Sequence, residues 1–204
     1  MLRITAGDFR GRRLKVPKVA ATRPLVERAR EGMFNHLGDL VHDALVWDVY
    51  AGSGILGLEA LSRGAAKVVA VERHQRAALQ LEENADLLGC RKQLQCLRID
   101  AYRLPTLADK QAAPNLIFFD PPYDDFRKGG PGRIKVWTLF LDLAQRLQPH
   151  GCAIVHTPCG ILNEAEFGDL PGLERRDYSN TSLYWWHKGA ASSQADPTAT
   201  TSES

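Results

Sequence analysis

Leu116-Ile117-Phe118-Phe119 is apolar at every position, the pattern of a strand with protein on both faces. Such a strand cannot belong to a one-sided sheet, so the chain must supply covering layers above and below it. The run stops on Asp120 and two prolines, Pro121 and Pro122. Neither proline has an N–H to give a sheet and each fixes its own φ, so the chain leaves the strand stiffly at Asp120. The exit forms an acceptor-rich corner, a carboxylate and peptide carbonyls, with the ring of Tyr123 beside it. The corner suits a planar substrate that offers an amino group to bond and a face to stack on. Taken alone, a strand end and a Pro-Pro turn account for it equally well.

The covering layers are legible on either side. Strands are expected over 45–50, 67–72, 93–99, 116–120 and 152–156, and helices over 55–63, 75–88, near 102–109 and near 134–147, with Gly64 and Gly89 as helix stops. Alternation of this kind builds right-handed βαβ units, so the fold class is α/β, a mostly parallel sheet with helices on both faces. Residues 173–178 and 183–187, separated by Ser179-Asn180-Thr181-Ser182, read as a C-terminal antiparallel hairpin. At 204 residues, 44% hydrophobic and 25% charged, the chain has material for one core. No apolar run approaches the ~20 residues of a membrane span, and the N-terminus lacks the apolar centre of a signal peptide, so a cytoplasmic protein with no membrane partner is expected. Cys90, Cys96, Cys152 and Cys159 form no C-x-x-C pair and have no zinc-like histidine spacing, so reduced thiols and no metal are expected.

Net charge is +2 but unevenly spread. Residues 1–30 hold nine Lys/Arg against Asp8 and Glu27, a net of +7, which leaves −5 on the other 174 residues. A basic segment on a near-neutral body fits a polyanion partner, although a solvated basic arm gives the same count. Gly7 and Gly11, among alternating charged and apolar residues, suggest a small hairpin over 2–16. Thr22-Arg23-Pro24 then opens an amphipathic helix over 24–37, ended by Gly38, with Glu27, Arg28, Arg30 and Glu31 on its polar side. The expected organisation is a basic extension over 1–40, a catalytic domain over 41–188, and a disordered tail over 189–204, which has no large apolar side chain.

Between the first core strand and its helix runs Asp48-Val49-Tyr50-Ala51-Gly52-Ser53-Gly54-Ile55-Leu56-Gly57. Glycines there let the backbone approach a ligand and aim helix N–H groups at it. Glu72 ends the second strand, twenty residues after Gly52, where a ribose-binding carboxylate belongs. The spacing satisfies G-x-G-x-x-G, so a nicotinamide or flavin enzyme stays in play. Two acids favour S-adenosylmethionine. Asp48, just before the loop, is placed to meet the cationic amino-acid end of that cofactor, and Asp100, ending the third strand, can accept from an adenine amino group. With Asp120, four parallel strands end in acids on one sheet edge, where ligands bind in open α/β sheets.

Asp48…Gly52-Ser53-Gly54, Glu72, Asp100 and Asp120-Pro121-Pro122-Tyr123, in this order, resemble the Rossmann-like methyltransferases that act on exocyclic amino groups of bases. Arg10-Gly11-Arg12-Arg13-Leu14, Thr22-Arg23-Pro24, Arg28 to Asn35 and Ala51 to Ala65 resemble the RsmD family of 16S ribosomal RNA guanine-N2 methyltransferases, over essentially 3–187. The resemblance implies a Rossmann-like sheet and transfer of a methyl group from S-adenosylmethionine to guanine N2, at the family's guanine 966 site. It implies 16S RNA or the small ribosomal subunit particle as partner, with the chain acting as a monomer. Asp120, Pro121, Pro122 and Tyr123 would be catalytic. Asp48, Tyr50, Ala51, Gly52, Ser53, Gly54, Glu72, Arg73, Asp100, Ala101 and Asp120 would hold the cofactor, and Arg10, Arg12, Arg13, Lys15, Arg23, Arg28 and Arg30 would grip RNA. The chain departs from the family at Leu25, Ala29 and Ser179, and at His156-Thr157, which lack the acid often found after the fifth strand. A DNA adenine-N6 methyltransferase, which shares the Asp-Pro-Pro-Tyr type of corner, and a non-catalytic ribosome-assembly factor remain alternatives.

Overall fold

The computed structural model describes residues 2–16, 25–126, 131–162, 170 and 172–189. Lys18, the expected helix start Thr22-Arg23-Pro24, the loop residues Arg127, Lys128, Gly129 and Gly130, and the 190–204 tail lie outside the described residues.

Two short strands, β1 (Leu2–Arg3) and β2 (Arg13–Leu14), pair antiparallel as the expected hairpin. Helix α1 (Glu27–Leu37) follows, with Gly38 as its C-cap at φ 50°. Then come β3 (Leu45–Val49), α2 (Ile55–Ser62), β4 (Lys67–Val71), α3 (Gln75–Leu88), β5 (Leu94–Leu97), the short α4 (Leu104–Ala108), β6 (Leu116–Phe119), α5 (Pro131–Gln145), β7 (Cys152–Pro158), β8 (Glu174–Tyr178) and β9 (Thr181–His187). Seven strands form one sheet in the order β5-β4-β3-β6-β7-β9-β8. The first five are parallel, and β9 and β8 add antiparallel.

Residue alternation along the strands divides the core in two. Val46, Val68, Ala70, Phe118 and Ile154 face one side, under α1, α2, α3 and the β1–β2 hairpin. Trp47, Val49, Val69, Val71, Ile117, Phe119 and Val155 face the other, under α4 and α5. Leu116–Phe119 is buried throughout, as its uninterrupted apolar run requires. The N-terminal segment shares this core: Ile4, Leu14, Leu25, Ala29, Met33 and Phe34 belong to the first cluster. No helix among the described residues is long and apolar enough to cross a membrane.

Most elements lie within a few residues of their expected limits, and the larger departures have polar causes. Strand β7 runs on through Thr157 to Pro158, and β9 starts at Thr181 rather than 183. Thr181 and Ser182 are buried in the strand because their hydroxyls are satisfied there, Thr181 by the Thr157 carbonyl (3.0 Å) and Ser182 by Asp177 (2.6 Å). The hairpin turn shrinks to Ser179-Asn180, with Ser179 at φ 57°. Helix α5 begins at Pro131 rather than near 134, since a proline loses no helical hydrogen bond at the first position.

Candidate active site at the carboxyl edge of the sheet

The chain runs outward from β3 through β4 to β5, then returns to place β6 on the other side of β3. The crevice at the carboxyl ends of β3 and β6 is the switch point where open α/β sheets bind ligands. Leaving β3, the backbone takes left-handed conformations at Tyr50 (φ 69°), Gly52 (φ 55°) and Gly54 (φ 78°). At Gly52 the conformation alone favours glycine, because a Cβ there would meet nothing nearer than the Tyr50 carbonyl oxygen at 3.9 Å. The inner side of the loop is open. Gly54 also has no room for a side chain, since a Cβ would sit 2.7 Å from Leu81 Cγ on α3. Among the described residues no side chain caps α2 at Gly54, so its first-turn N–H groups have no cap from that position.

One of those groups is already engaged. Gly57 N–H donates to Asp48 Oδ2 at 2.9 Å, and Asp48 is only 1% exposed. Burial pushes the Asp48 carboxyl up to about 7; the Gly57 N–H opposes the shift, and the charges of Asp120 and Glu72 add to it. Tyr50 packs edge-on to Phe119, with ring centroids 5.4 Å apart. Ala51 N–H bonds the Val71 carbonyl at 3.0 Å, tying the loop to β4. The Ser53 carbonyl accepts from Asn84 Nδ2 at 3.1 Å, and the same buried amide bonds the Lys15 carbonyl at 2.9 Å and accepts from Lys15 N–H at 3.0 Å.

Glu72, just past β4, takes Gly52 N–H on one oxygen (2.9 Å) and His74 N–H on the other (2.7 Å). Each oxygen keeps a further lone pair for a ligand hydroxyl. Asp100, past β5, accepts from Tyr102 N–H at 3.0 Å, with the exposed Arg73 3.7 Å from its other oxygen and Ala101 buried beside it. Asp48, Gly52, Gly54, Glu72 and Asp120 therefore gather at the crevice, whereas Arg73 and Asp100 stand at the outer, β5 end of the same edge.

At β6 the amide of Asp120 still bonds the Val49 carbonyl (3.2 Å), after which Pro121 is buried, Pro122 exposed and Tyr123 half-buried. Asp120 keeps 23% of its side chain exposed. Its closest partner is His156, a residue to which the sequence pattern assigns no role. The β6–β7 register pairs Phe119 with Val155, so the next residues, Asp120 and His156, lie side by side. His156 Nδ1 is 2.6 Å from Asp120 Oδ1. His156 Nε2 bonds the Thr181 hydroxyl, and the Tyr123 hydroxyl lies 3.2 Å from both His156 Nε2 and Thr181 Oγ1. The available signal is a histidine ending the strand expected beside the Asp120 strand, but only the register shows that the two meet.

The basic segment divides. Arg10, Arg12, Arg13, Lys15 and Arg28 are exposed. Arg23 lies outside the described residues. Arg30, expected to grip RNA from the polar side of its helix, is 1% exposed and cannot reach a phosphate. Its guanidinium is committed to Glu59 (3.4 Å) and to the carbonyls of Arg3 (2.7 Å) and Leu25 (3.5 Å). The sequence pattern misplaces it because α1 is covered on that side by α2 and the hairpin. Away from the crevice, by the amino end of β7, His36, Glu174 and His187 bring their ligand atoms within 4.8 Å of one another.

A family model described as "Conserved hypothetical protein 95" matches residues 2–187. The Escherichia coli (strain K12) protein named "Ribosomal RNA small subunit methyltransferase D" is 40% identical over 128 residues, 63% of this chain and 62% of its own length. The chain thus spans under two thirds of that relative. The Bacillus subtilis (strain 168) "Putative rRNA methyltransferase YlbH" is 30% identical over 188 residues, 92% of this chain and 99% of its own. A solved structure titled "Putative methyltransferase yhhF from Escherichia coli" superposes with a TM-score of 0.75 at 28% identity, covering 93% of this chain and 99% of that one.

Proposed function

The chain belongs to the conserved hypothetical protein 95 family, the RsmD type, and from that premise we propose that it methylates small-subunit ribosomal RNA using S-adenosylmethionine. The proposed acceptor is the exocyclic N2 amine of a guanine, at the guanine 966 site, on RNA or on the small-subunit particle. One observation carries the reading: the Asp120-Pro121-Pro122-Tyr123 corner opens onto the same switch-point crevice as an open glycine loop, an uncapped helix start and two further carboxylates.

The residues present fit the cofactor. The open side of Gly52 leaves room against the loop, and the first-turn amides of α2 suit a carboxylate. Asp48 is the acid nearest to that turn, placed for an ammonium, and the spare lone pairs of Glu72 suit a ribose diol. Asp100 and Ala101 would border the adenine. When bound, S-adenosylmethionine supplies a methyl group on a cationic sulfur.

The rest of the chemistry falls to the corner. A guanine amino nitrogen is a weak nucleophile because its lone pair is delocalised into the ring. The Asp120 carboxylate and the Pro121 carbonyl, each accepting one N–H, hold that nitrogen with its lone pair out of conjugation, and the carboxylate offsets the positive charge growing on it. The half-buried Tyr123 offers a face to a base that is unpaired or turned out of its helix.

The reading is tested by incubating the protein with labelled S-adenosylmethionine and hypomethylated small-subunit RNA or particles, then mapping the modified nucleotide. Label on one guanine N2 is expected, with an Asp120→Ala rate lower by about 10²-fold or more. Full turnover by folded Asp120→Ala, or label on adenine in duplex DNA, overturns it.

A further inference from the structure

We infer that His156 is a positioning residue for Asp120, its ring clamped between Thr181 and Tyr123 on one side and the Asp120 carboxylate on the other. The inference rests on the reading of Asp120 as the group that orients the amine. On one side of the ring Nε2 bonds the Thr181 hydroxyl, which also lies 3.0 Å from the Thr157 carbonyl, and the Tyr123 hydroxyl stands 3.2 Å from the same nitrogen. On the other side, Nδ1 meets Asp120 Oδ1 at 2.6 Å, and a carboxylate accepts, so Nδ1 is the donor.

The surroundings strengthen the clamp. His156 exposes 4% of its side chain, and Leu25, Met33, Leu56, Phe118, Ile154 and Leu183 line a small cavity against both residues. Charge-assisted hydrogen bonds are stronger in such apolar company. The Oδ1 of Asp120 is held by the ring, which turns the carboxylate to a fixed angle and leaves Oδ2 for the amine.

The experiment pairs a spectrum with kinetics. In 15N-histidine-labelled wild-type protein, His156 should show an N–H signal at Nδ1, and Asp120→Asn should shift it while Thr181→Val perturbs the Nε2 resonance. In methyl-transfer assays, His156→Ala should lower kcat by about 10–100-fold, the size typical of losing an orienting outer partner, with KM for RNA and cofactor within about twofold. Thr181→Val, the milder change, should show the same split with a smaller loss. A wild-type ring with no hydrogen on Nδ1, or a folded His156→Ala with unchanged kcat, overturns the inference. If the wild-type protein transfers no methyl group, the functional reading fails separately, and the spectrum still decides whether His156 holds Asp120.

Discussion

Asp48 carries a carboxylate into the sheet, where water cannot follow. Burial raises its folded pKa to about 7, against about 3.9 in an unfolded chain. Between those values the folded state keeps a proton that the unfolded chain has released, so stability falls as pH rises from about 4 to about 7 and is flat above. An Asp48→Asn substitution keeps an acceptor for Gly57 N–H and removes the titration. Its stability, read as urea midpoints, should therefore be flatter than that of the wild type across this window, with a difference on the order of a few kcal/mol developing by neutral pH. Parallel curves for the two proteins would show that Asp48 is ionised as easily when folded as when unfolded. In sequence, Asp48 is legible as an acid before a glycine loop, but not as one buried against the first turn of α2 at the wall of the crevice. That depends on strand alternation, Val46 and Asp48 facing one layer and Trp47 and Val49 the other.

Helix α2 shows at the level of elements what single-chain patterns convey and what they miss. Its limits are legible to within a residue, because Gly54 and Gly64 bracket an apolar stretch. Its burial is not: all eight residues are buried, including Glu59 and Ser62, because the β1–β2 hairpin seals its outer face. The contact is close enough that a Cβ on Gly7 would lie 1.7 Å from the Ser62 carbonyl oxygen. Glu59, 0% exposed, accepts from the amides of Thr5 (2.9 Å) and Ala6 (3.1 Å) and pairs with Arg30 and Arg63. Strands of pure hydrocarbon such as Leu116–Phe119 announce their burial in sequence, whereas a buried Glu59, Arg30 or Thr181 depends on partners that include ones 24 to 54 residues away. Glu59→Ala leaves Arg30 as a buried cation without its carboxylate and two amides without acceptors. A loss of about 3–5 kcal/mol is expected, with faster hydrogen exchange at Thr5 and Ala6. A hairpin folding independently of α2 would show no change in that exchange.

For the molecule as a whole, the question is which part of the +7 carried by residues 1–30 is available to RNA. Arg3 is paired with Glu27 at 2.7 Å, Arg30 is consumed by Glu59 inside the core, and Lys15 stands 3.5 Å from Glu83. Arg10 and Arg13 are exposed, and Arg12 reaches the Leu87 carbonyl (2.8 Å). The hairpin that carries them is fixed to the glycine-loop side of the fold, since Asn84 holds both Lys15 and the Ser53 carbonyl of that loop. A phosphate backbone lying on this hairpin would thus be held at a set distance from the crevice. Each phosphate neutralised adds about 0.7–0.9 to the slope of log K against log salt. Replacing Arg10, Arg12 and Arg13 together by Gln should therefore lower the slope for small-subunit RNA by about 2, with cofactor affinity unchanged. Arg30→Met provides the contrast: it should leave the slope alone and lower the unfolding midpoint, because its partner is Glu59. A slope that drops with Arg30 and not with the hairpin arginines would put the RNA on a different face of the protein.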